Sequence, residues 1–121
     1  MKRFFKSFSF AWQGLKRCLV QEKNFQILYL IASFVIAAGF YFSISSEEWI
    51  PILICVALVL SLEIINSVIE KLCDFVSPAI HPSIKTIKDM AAGAVLLASI
   101  ISFIIGCIIF IPKILILFSS L

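Results

Sequence analysis

Three long stretches of this chain carry almost no charge, and they constrain its fold more than any other feature. Residues 24–46 and 90–112 contain no Asp, Glu, Lys or Arg. Residues 49–73 are apolar apart from four charged or amide-bearing positions, Glu63, Asn66, Glu70 and Lys71. A helix crosses a bilayer with about 20 apolar residues, and its backbone polar groups are satisfied internally. The sequence therefore predicts an all-α integral membrane protein with three transmembrane helices.

The boundaries of the elements follow from the points where charges and turn residues return. We expect a surface helix at 1–24, transmembrane helices at 25–45, 48–74 and 89–117, and a cytoplasmic connection at 75–88. Within that connection, Ser77-Pro78 and His81-Pro82 are turn sequences, because a residue before proline avoids the helical conformation. The N-terminal segment alternates aromatic residues with Lys and Arg at helical spacing, which predicts an amphipathic helix at the membrane surface. Such a helix can also be a simple anchor.

The distribution of Lys and Arg predicts the orientation of the chain. Six of these residues precede the first span, none lies between the first and second spans, three lie at the second connection, and one, Lys113, lies near the C-terminus. The positive-inside rule places the N-terminus and the second connection in the cytoplasm and the C-terminus outside. The net charge of +3 suits anionic lipid headgroups. No basic run with recognition residues indicates a nucleic-acid partner.

A stripe of polar side chains interrupts the second predicted span. Glu63, Asn66, Glu70 and Asp74 are spaced by three, four and four residues, which places them on one face of an α-helix. Ionisable groups at membrane depth are costly and normally face a protein interior or a cavity, so the stripe is a candidate functional site. Glu63 is its deepest member when Asp74 points to the cytoplasm. Because three helices enclose little interior, we expect neighbouring subunits to shield the stripe.

The residues around the stripe suit phosphoryl transfer. Carboxylates bind Mg²⁺ together with phosphates and water, and Glu22 could join Glu70 if the surface helix packs on the second span. Lys85 and Lys88 add positive charge at the start of the third helix, which favours a phosphate, although contact with lipid headgroups would also explain them. Glu63 is the candidate general base. No P-loop or protein-kinase glycine loop is present, so these residues alone indicate only an acidic site facing the cytoplasm.

The alternative from another class is a non-enzymatic oligomer that conducts cations or protons past Glu63 and Glu70. Residues 49–62 argue against it, because they offer no polar path through the rest of the span. A degenerate, purely structural membrane protein is a further alternative. The intact acidic stripe argues against that reading.

Several sequence blocks follow one another along nearly the whole chain. They are Ser9-Phe10-Ala11-Trp12-x-Gly14-Leu15, Glu22-x-Asn24-Phe25, Glu63-x-x-Asn66-Ser67-x-Ile69-Glu70-x-x-x-Asp74 and Lys88-Asp89-Met90-Ala91-Ala92-Gly93-Ala94-Val95. Together they resemble the prokaryotic diacylglycerol kinase family, which includes the undecaprenol kinases. The chain departs modestly from the family pattern. Ser67 stands in place of Thr, Val68 in place of a small residue and Ile87 in place of Ala, and Phe10 lacks the hydroxyl of the Tyr found in some members.

The resemblance implies a homotrimeric enzyme of the bacterial cytoplasmic (inner) membrane. Such an enzyme transfers the γ-phosphoryl group of ATP to the primary hydroxyl of a membrane lipid at the cytoplasmic face. It implies Glu63 as the general base, supported by Asn66 and Asp74, and Mg²⁺ bound by Glu22 and Glu70. The implied nucleotide contacts are Arg3, Phe10, Glu22, Glu70, His81, Lys88 and Asp89. Trp12 and Glu63 are the implied lipid contacts.

The lipid substrate stays open between undecaprenol and diacylglycerol. Glu48-Trp49, His81-Pro82-x-x-Lys85 and Phe110-Ile111-Pro112-Lys113-Ile114 look closer to the undecaprenol-kinase branch. Both lipids present a primary alcohol at the interface, so the chemistry expected of Glu63 is the same for either. A solitary His beside Pro is also common in loops, which is an alternative explanation of His81.

Overall fold

Four α-helices make up the described part of the chain. In the computed structural model, which describes residues 1–77, 79 and 81–121, these are α1 (Lys2–Gln21), α2 (Lys23–Tyr41), α3 (Ser46–Val76) and α4 (Pro82–Ser119). Helices α2, α3 and α4 are each long and apolar enough to cross a membrane. This confirms the predicted all-α class and its three candidate spans. The turn expected at Ser77-Pro78 includes Pro78, which lies outside the described residues.

Helix α4 begins at Pro82, well inside the interval 75–88 where the sequence predicted a connection. Proline is favourable in the first turn of a helix, because its missing N–H would have no partner there. The backbone N–H of Ser83 donates a hydrogen bond of 3.1 Å to Nδ1 of His81, which caps the helix. The predicted connection was therefore too long, and Lys85 and Lys88 lie on the first two turns of α4.

Helices α3 and α4 form an antiparallel pair that is joined near both ends by an ion pair. Lys113 Nζ lies 2.9 Å from Glu48 Oε2 at one end. Lys88 Nζ lies 2.5 Å from Asp74 Oδ1 at the other end. Because the two ion pairs are so far apart along the helices, they set the register of α3 against α4. Helix α2 packs on α3, and α1 packs on α2.

The turn between α2 and α3 combines a helix cap with a close backbone approach. Ser45 and Glu48 form a capping box, in which each backbone N–H donates to the other side chain, at 3.0 and 3.2 Å. The Trp49 ring lies directly on Gly39, where a Cβ atom would come within 2.5 Å of Trp49 Cη2. This contact explains why a glycine stands in α2 at that position. Below the turn, the buried side chains of Ile44, Ile52 and Ile109 form a small apolar core.

The outer surface of the spans is far more apolar than that of a soluble protein. Large apolar residues on the spans face outward, for example Phe34 and Phe103. The buried polar residues of the described chain are Glu63, Asn66 and Ser67. An apolar outer surface, with the ionisable groups of the spans turned inward, is typical of a helix bundle that meets lipid.

The Gly39–Trp49 contact generates a stability prediction. Gly39→Ala should lower the free energy of unfolding by about 1–3 kcal/mol, because the added methyl group overlaps the indole ring. Thermal or denaturant unfolding in detergent micelles, followed by tryptophan fluorescence, measures the change. Gly14→Ala is the matched control, since a Cβ at Gly14 meets no atom of the described chain within 4 Å. Equal effects of the two substitutions would contradict the proposed steric role.

Candidate active site

The polar stripe of α3 becomes progressively more exposed toward the end of the helix. Glu63 and Asn66 are buried, with 4% and 5% of their surface exposed, Glu70 is half-buried and Asp74 is exposed. The stripe extends over about 16 Å along the helix axis. Its inner end is therefore enclosed by the chain's own helices, while its outer end is open. A reactant in water could reach Asp74, and a group held within the bundle could reach Glu63.

Asn66 connects the buried and half-buried parts of the stripe. Its Nδ2 donates a long hydrogen bond of 3.4 Å to Oε1 of Glu70, one turn further along α3. Its Oδ1 is buried and has no hydrogen-bond partner among the described residues. Buried polar atoms are nearly always paired, so an unpaired acceptor beside a carboxylate indicates a place where a ligand or a metal ion completes the bonding.

Glu22 reaches this region from the other end of the chain, because it forms the junction between α1 and α2. Its backbone is extended there, and Gln26 Nε2 donates to the carbonyl oxygens of Leu19 and Val20, at 3.0 and 2.9 Å, which closes the end of α1. The junction brings Glu22 to α3, where its Oε1 lies 2.8 Å from Lys71 Nζ.

Glu22, Glu63 and Glu70 form one group of carboxylates, which we call the carboxylate cluster. Glu70 lies two turns from Glu63 on the same face of α3. Glu22 reaches α3 at Lys71, the residue that follows Glu70, so the three carboxylates share one region although they come from different parts of the sequence. In the described residues no three His, Cys, Asp or Glu side chains converge into a complete protein metal site. Magnesium in kinases needs only one or two carboxylates, with phosphates and water as the other ligands. The assignment of Glu22 and Glu70 to Mg²⁺ stays a prediction.

A second, polar group of residues lies where α3 ends and α4 begins. A cavity of about 190 Å³ is lined by Asp74 and Ser77 on one side and by His81, Lys85 and Lys88 on the other. Lys88 pairs with Asp74, and Lys85 Nζ lies 2.6 Å from Oδ2 of the predicted nucleotide contact Asp89. His81, Lys85 and Lys88 thus surround a small space. The positive charge of the two lysines would suit a phosphate group there.

The residues predicted on α1 lie apart from the carboxylate cluster in the single chain. Arg3, Phe10 and Trp12 are all exposed. Helix α1 packs on α2 and has at most a marginal contact with the other helices. Along α1, Arg3 and Phe10 are about 28 and 18 Å from Glu22. The structure therefore brings Glu22 to the site without bringing these three residues to it.

Two features of the site were not predicted from the sequence. Lys71 is the ion-pair partner of Glu22. Lys71 belongs to none of the sequence motifs, so the sequence did not predict that it contacts Glu22. An apolar cleft of about 480 Å³ lies between α2, α3 and α4 and runs from Leu60, one turn from Glu63, to Ile52 and Ile114. Apolar residues surround all three spans, so helical periodicity could not show which faces would be left open.

Comparison with known proteins places these features in context. Residues 9–110 match the family model described as prokaryotic diacylglycerol kinase. The chain is 41% identical over 113 residues to an undecaprenol kinase of Bacillus subtilis (strain 168), covering 93% of this chain and 92% of that protein. It is 35% identical over 99 residues to a diacylglycerol kinase of Helicobacter pylori, covering 82% and 77%. It is 27% identical over 106 residues to a diacylglycerol kinase of Escherichia coli (strain K12), covering 88% and 87%.

The unpaired oxygen of Asn66 generates a stability prediction. Asn66→Leu should leave the free energy of unfolding unchanged or raise it by about 1 kcal/mol, because it removes a buried acceptor that has no partner. Ile52→Asn is the matched control. It places an amide at a position that is 2% exposed in the apolar core and should cost more than about 2 kcal/mol. Unfolding in detergent micelles measures both. A loss above about 1 kcal/mol for Asn66→Leu would show that the bonds of the Asn66 amide, including that from Nδ2 to Glu70, outweigh the cost of the unpaired Oδ1.

Proposed function

Because the chain belongs to the prokaryotic diacylglycerol kinase family and is a lipid kinase, we propose that it phosphorylates undecaprenol or diacylglycerol with ATP. The γ-phosphoryl group would pass to the primary hydroxyl of the lipid at the cytoplasmic face of a bacterial inner membrane. The observation that carries this proposal is the carboxylate cluster. Glu63 is buried at the inner end of a stripe that opens at Asp74, Glu70 lies two turns further toward the open end, and Glu22 reaches α3 beside Glu70, at Lys71.

The orientation that we propose follows from charge. The junction of α3 and α4 holds Asp74, Lys85 and Lys88, and the positive-inside rule assigns this end to the cytoplasm, together with α1. The opposite end, with Glu48 and Lys113, then lies outside. Helix α1 would lie in the membrane interface with its aromatic residues toward lipid and its cations toward headgroups. ATP is present in the cytoplasm, so in this orientation the cavity beside Lys88 opens on the side of the membrane where ATP is found.

The residues present are suited to Mg²⁺. Carboxylates of Glu22 and Glu70 and the unpaired Oδ1 of Asn66 are hard oxygen donors, which is the ligand chemistry that magnesium prefers. When bound, the ion would neutralise negative charge on the ATP phosphates. Lys88 and Asp89 would bind the nucleotide, and Asn66 would hold Glu70 in place through its Nδ2 hydrogen bond. Asp74 would hold Lys88 at the edge of the site.

Glu63 would act as the general base. Its carboxylate takes the proton of the lipid hydroxyl as the hydroxyl oxygen bonds to the γ-phosphorus, and the bond from that phosphorus to the bridging oxygen of ADP breaks. The products are a phosphorylated lipid, ADP and a proton, which Glu63 later releases to water. Burial of Glu63 at 4% exposure keeps water away from the attacking position, which disfavours hydrolysis of ATP.

We also propose that the enzyme is a homotrimer. On α4, Gly93 and Ala94 are exposed, and a Cβ at Gly93 would meet no atom of the described chain within 4 Å. Small residues on an outer face let another helix approach closely in lipid. A neighbouring subunit would also enclose Glu70, which a single chain leaves half-buried. Arg3, Phe10 and Trp12 would complete the nucleotide and lipid contacts in that assembly.

Undecaprenol is the acceptor that we propose first. The relative that shares 41% of its residues over 93% of this chain is named as an undecaprenol kinase. The apolar cleft that begins one turn from Glu63 at Leu60 offers a place for a long hydrocarbon chain. The same cleft argues against ion conduction, because its lining is almost wholly apolar and carries no charged side chain to bind an ion.

The assay that tests the proposal measures transfer of radiolabelled phosphate from ATP to each lipid in detergent micelles. We expect transfer to both lipids, with the larger kcat/KM for undecaprenol. Transfer to neither would contradict the lipid-kinase proposal, and a larger kcat/KM for diacylglycerol would reverse the order of substrates. Liposomes containing the protein should show no cation flux without ATP, and measurable flux would support the conducting alternative.

Substitution of the proposed base is a second test. Glu63→Gln should lower kcat by about 10²–10⁴-fold, because the amide cannot take the proton of the hydroxyl. Glu47→Gln removes an exposed carboxylate from the first turn of the same helix and is the matched control. Size-exclusion chromatography and thermal unfolding should show that both variants keep the assembly of the parent. A rate within about threefold of the parent for Glu63→Gln would remove the general-base assignment.

A further inference from the structure

Lys71 is the cation that contacts the carboxylate cluster. Its Nζ lies 2.8 Å from Oε1 of Glu22. The other ion pairs of the described chain involve Glu48, Asp74 and Asp89, none of which belongs to the cluster. Glu22 is thus the cluster member whose charge is balanced by the protein itself.

The ion pair also joins two separate parts of the fold. Glu22 forms the junction of α1 and α2, and Lys71 lies near the end of α3. The Lys71 side chain is 65% exposed, whereas that of Glu22 is 20% exposed. The exposed Lys71 side chain therefore covers the largely buried Glu22 carboxylate from the outer side of the helices. Neighbouring residues on a helix point about 100° apart. Glu70 therefore lies on the face of α3 that carries the polar stripe, and Lys71 lies to one side of that face.

We propose that Lys71 is a positioning residue that holds Glu22 in the metal-free enzyme and competes with Mg²⁺ for its carboxylate. This inference rests on the proposed function, in which Glu22 is a metal ligand. The ammonium and a divalent cation are both attracted to the single negative charge of the Glu22 carboxylate, so each weakens the binding of the other. In the metal-free enzyme Lys71 also offsets the repulsion among Glu22, Glu63 and Glu70, and it keeps the α1–α2 junction against α3.

Competition between Lys71 and the metal ion predicts both the direction and the size of a change in metal affinity. Loss of Lys71 removes the competitor, so metal should bind more tightly. Because the Lys71 side chain is largely exposed, the ion pair contributes little free energy, and the gain in metal affinity on its loss is about 1.5- to 5-fold. A lysine that instead bound the phosphates would have the opposite effect, because its loss would weaken binding of the metal–nucleotide complex.

The test is a titration of Mn²⁺ into the full-length protein in detergent with a saturating non-hydrolysable ATP analogue, followed by EPR of the free ion. Lys71→Met should lower the apparent Kd for Mn²⁺ by about 1.5- to 5-fold, and Lys71→Arg should stay near the parent because it keeps the ion pair. Lys23→Met is the matched control, since it removes one positive charge next to Glu22 that takes part in none of the described ion pairs. Its Kd should change less than that of Lys71→Met.

Glu22→Gln separates failure of this inference from failure of the proposed function. Weaker Mn²⁺ binding in Glu22→Gln together with an unchanged or raised Kd in Lys71→Met would overturn the competition while leaving Glu22 as a ligand. An unchanged Kd in Glu22→Gln would overturn both the ligand assignment and the competition. Equal changes in Lys71→Met and Lys23→Met would show that general charge, not the ion pair, sets the affinity. In the kinase assay, Lys71→Met should reach half-maximal rate at a lower Mg²⁺ concentration.

Discussion

A carboxylate inside a membrane-spanning helix must be enclosed by protein, and the rest of this structure depends on that requirement. Glu63 is buried although apolar side chains close to it on α3, such as Leu58 and Ile65, are exposed. Burial is possible because α3 pairs with α4 along most of its length and α2 packs on α3. The ion pairs of Glu48 with Lys113 and of Asp74 with Lys88 hold the register of the α3–α4 pair.

Several charged side chains around the site are paired with opposite charges of the protein itself. Near the end of α3, Lys71 pairs with Glu22 and Lys88 pairs with Asp74, and on α4 Lys85 pairs with Asp89. A kinase site must accept both a cation and a polyphosphate, so it needs acids and lysines close together. Without ligands these groups neutralise one another. Under the proposed function, a metal–nucleotide complex would replace these internal partners, because carboxylates would bind the metal and lysines would bind phosphate.

Much of the fold could be predicted because it depends on local composition. Uncharged stretches predicted the three spans, and α3 confirms that Glu63, Asn66, Glu70 and Asp74 share one helix. The start of α4 was misjudged because Pro82 was taken as part of a turn, whereas His81 caps the helix and Pro82 opens it. The Gly39–Trp49 contact was not predicted, since a glycine within an apolar helix gives no indication of which side chain will cover it.

By itself the sequence determined the helical class, the number of spans and the single stripe of polar residues, because charge and periodicity are properties of contiguous residues. Only the tertiary structure decided that Glu63 and Asn66 are buried, that Glu22 meets Lys71 and that Lys88 pairs with Asp74. The physical reason is that helical periodicity shows which residues share a face of a helix but not which other helix packs against that face. Contacts between Glu22 and α3 require two helices to pack and a junction to turn, and those events join residues far apart in the chain.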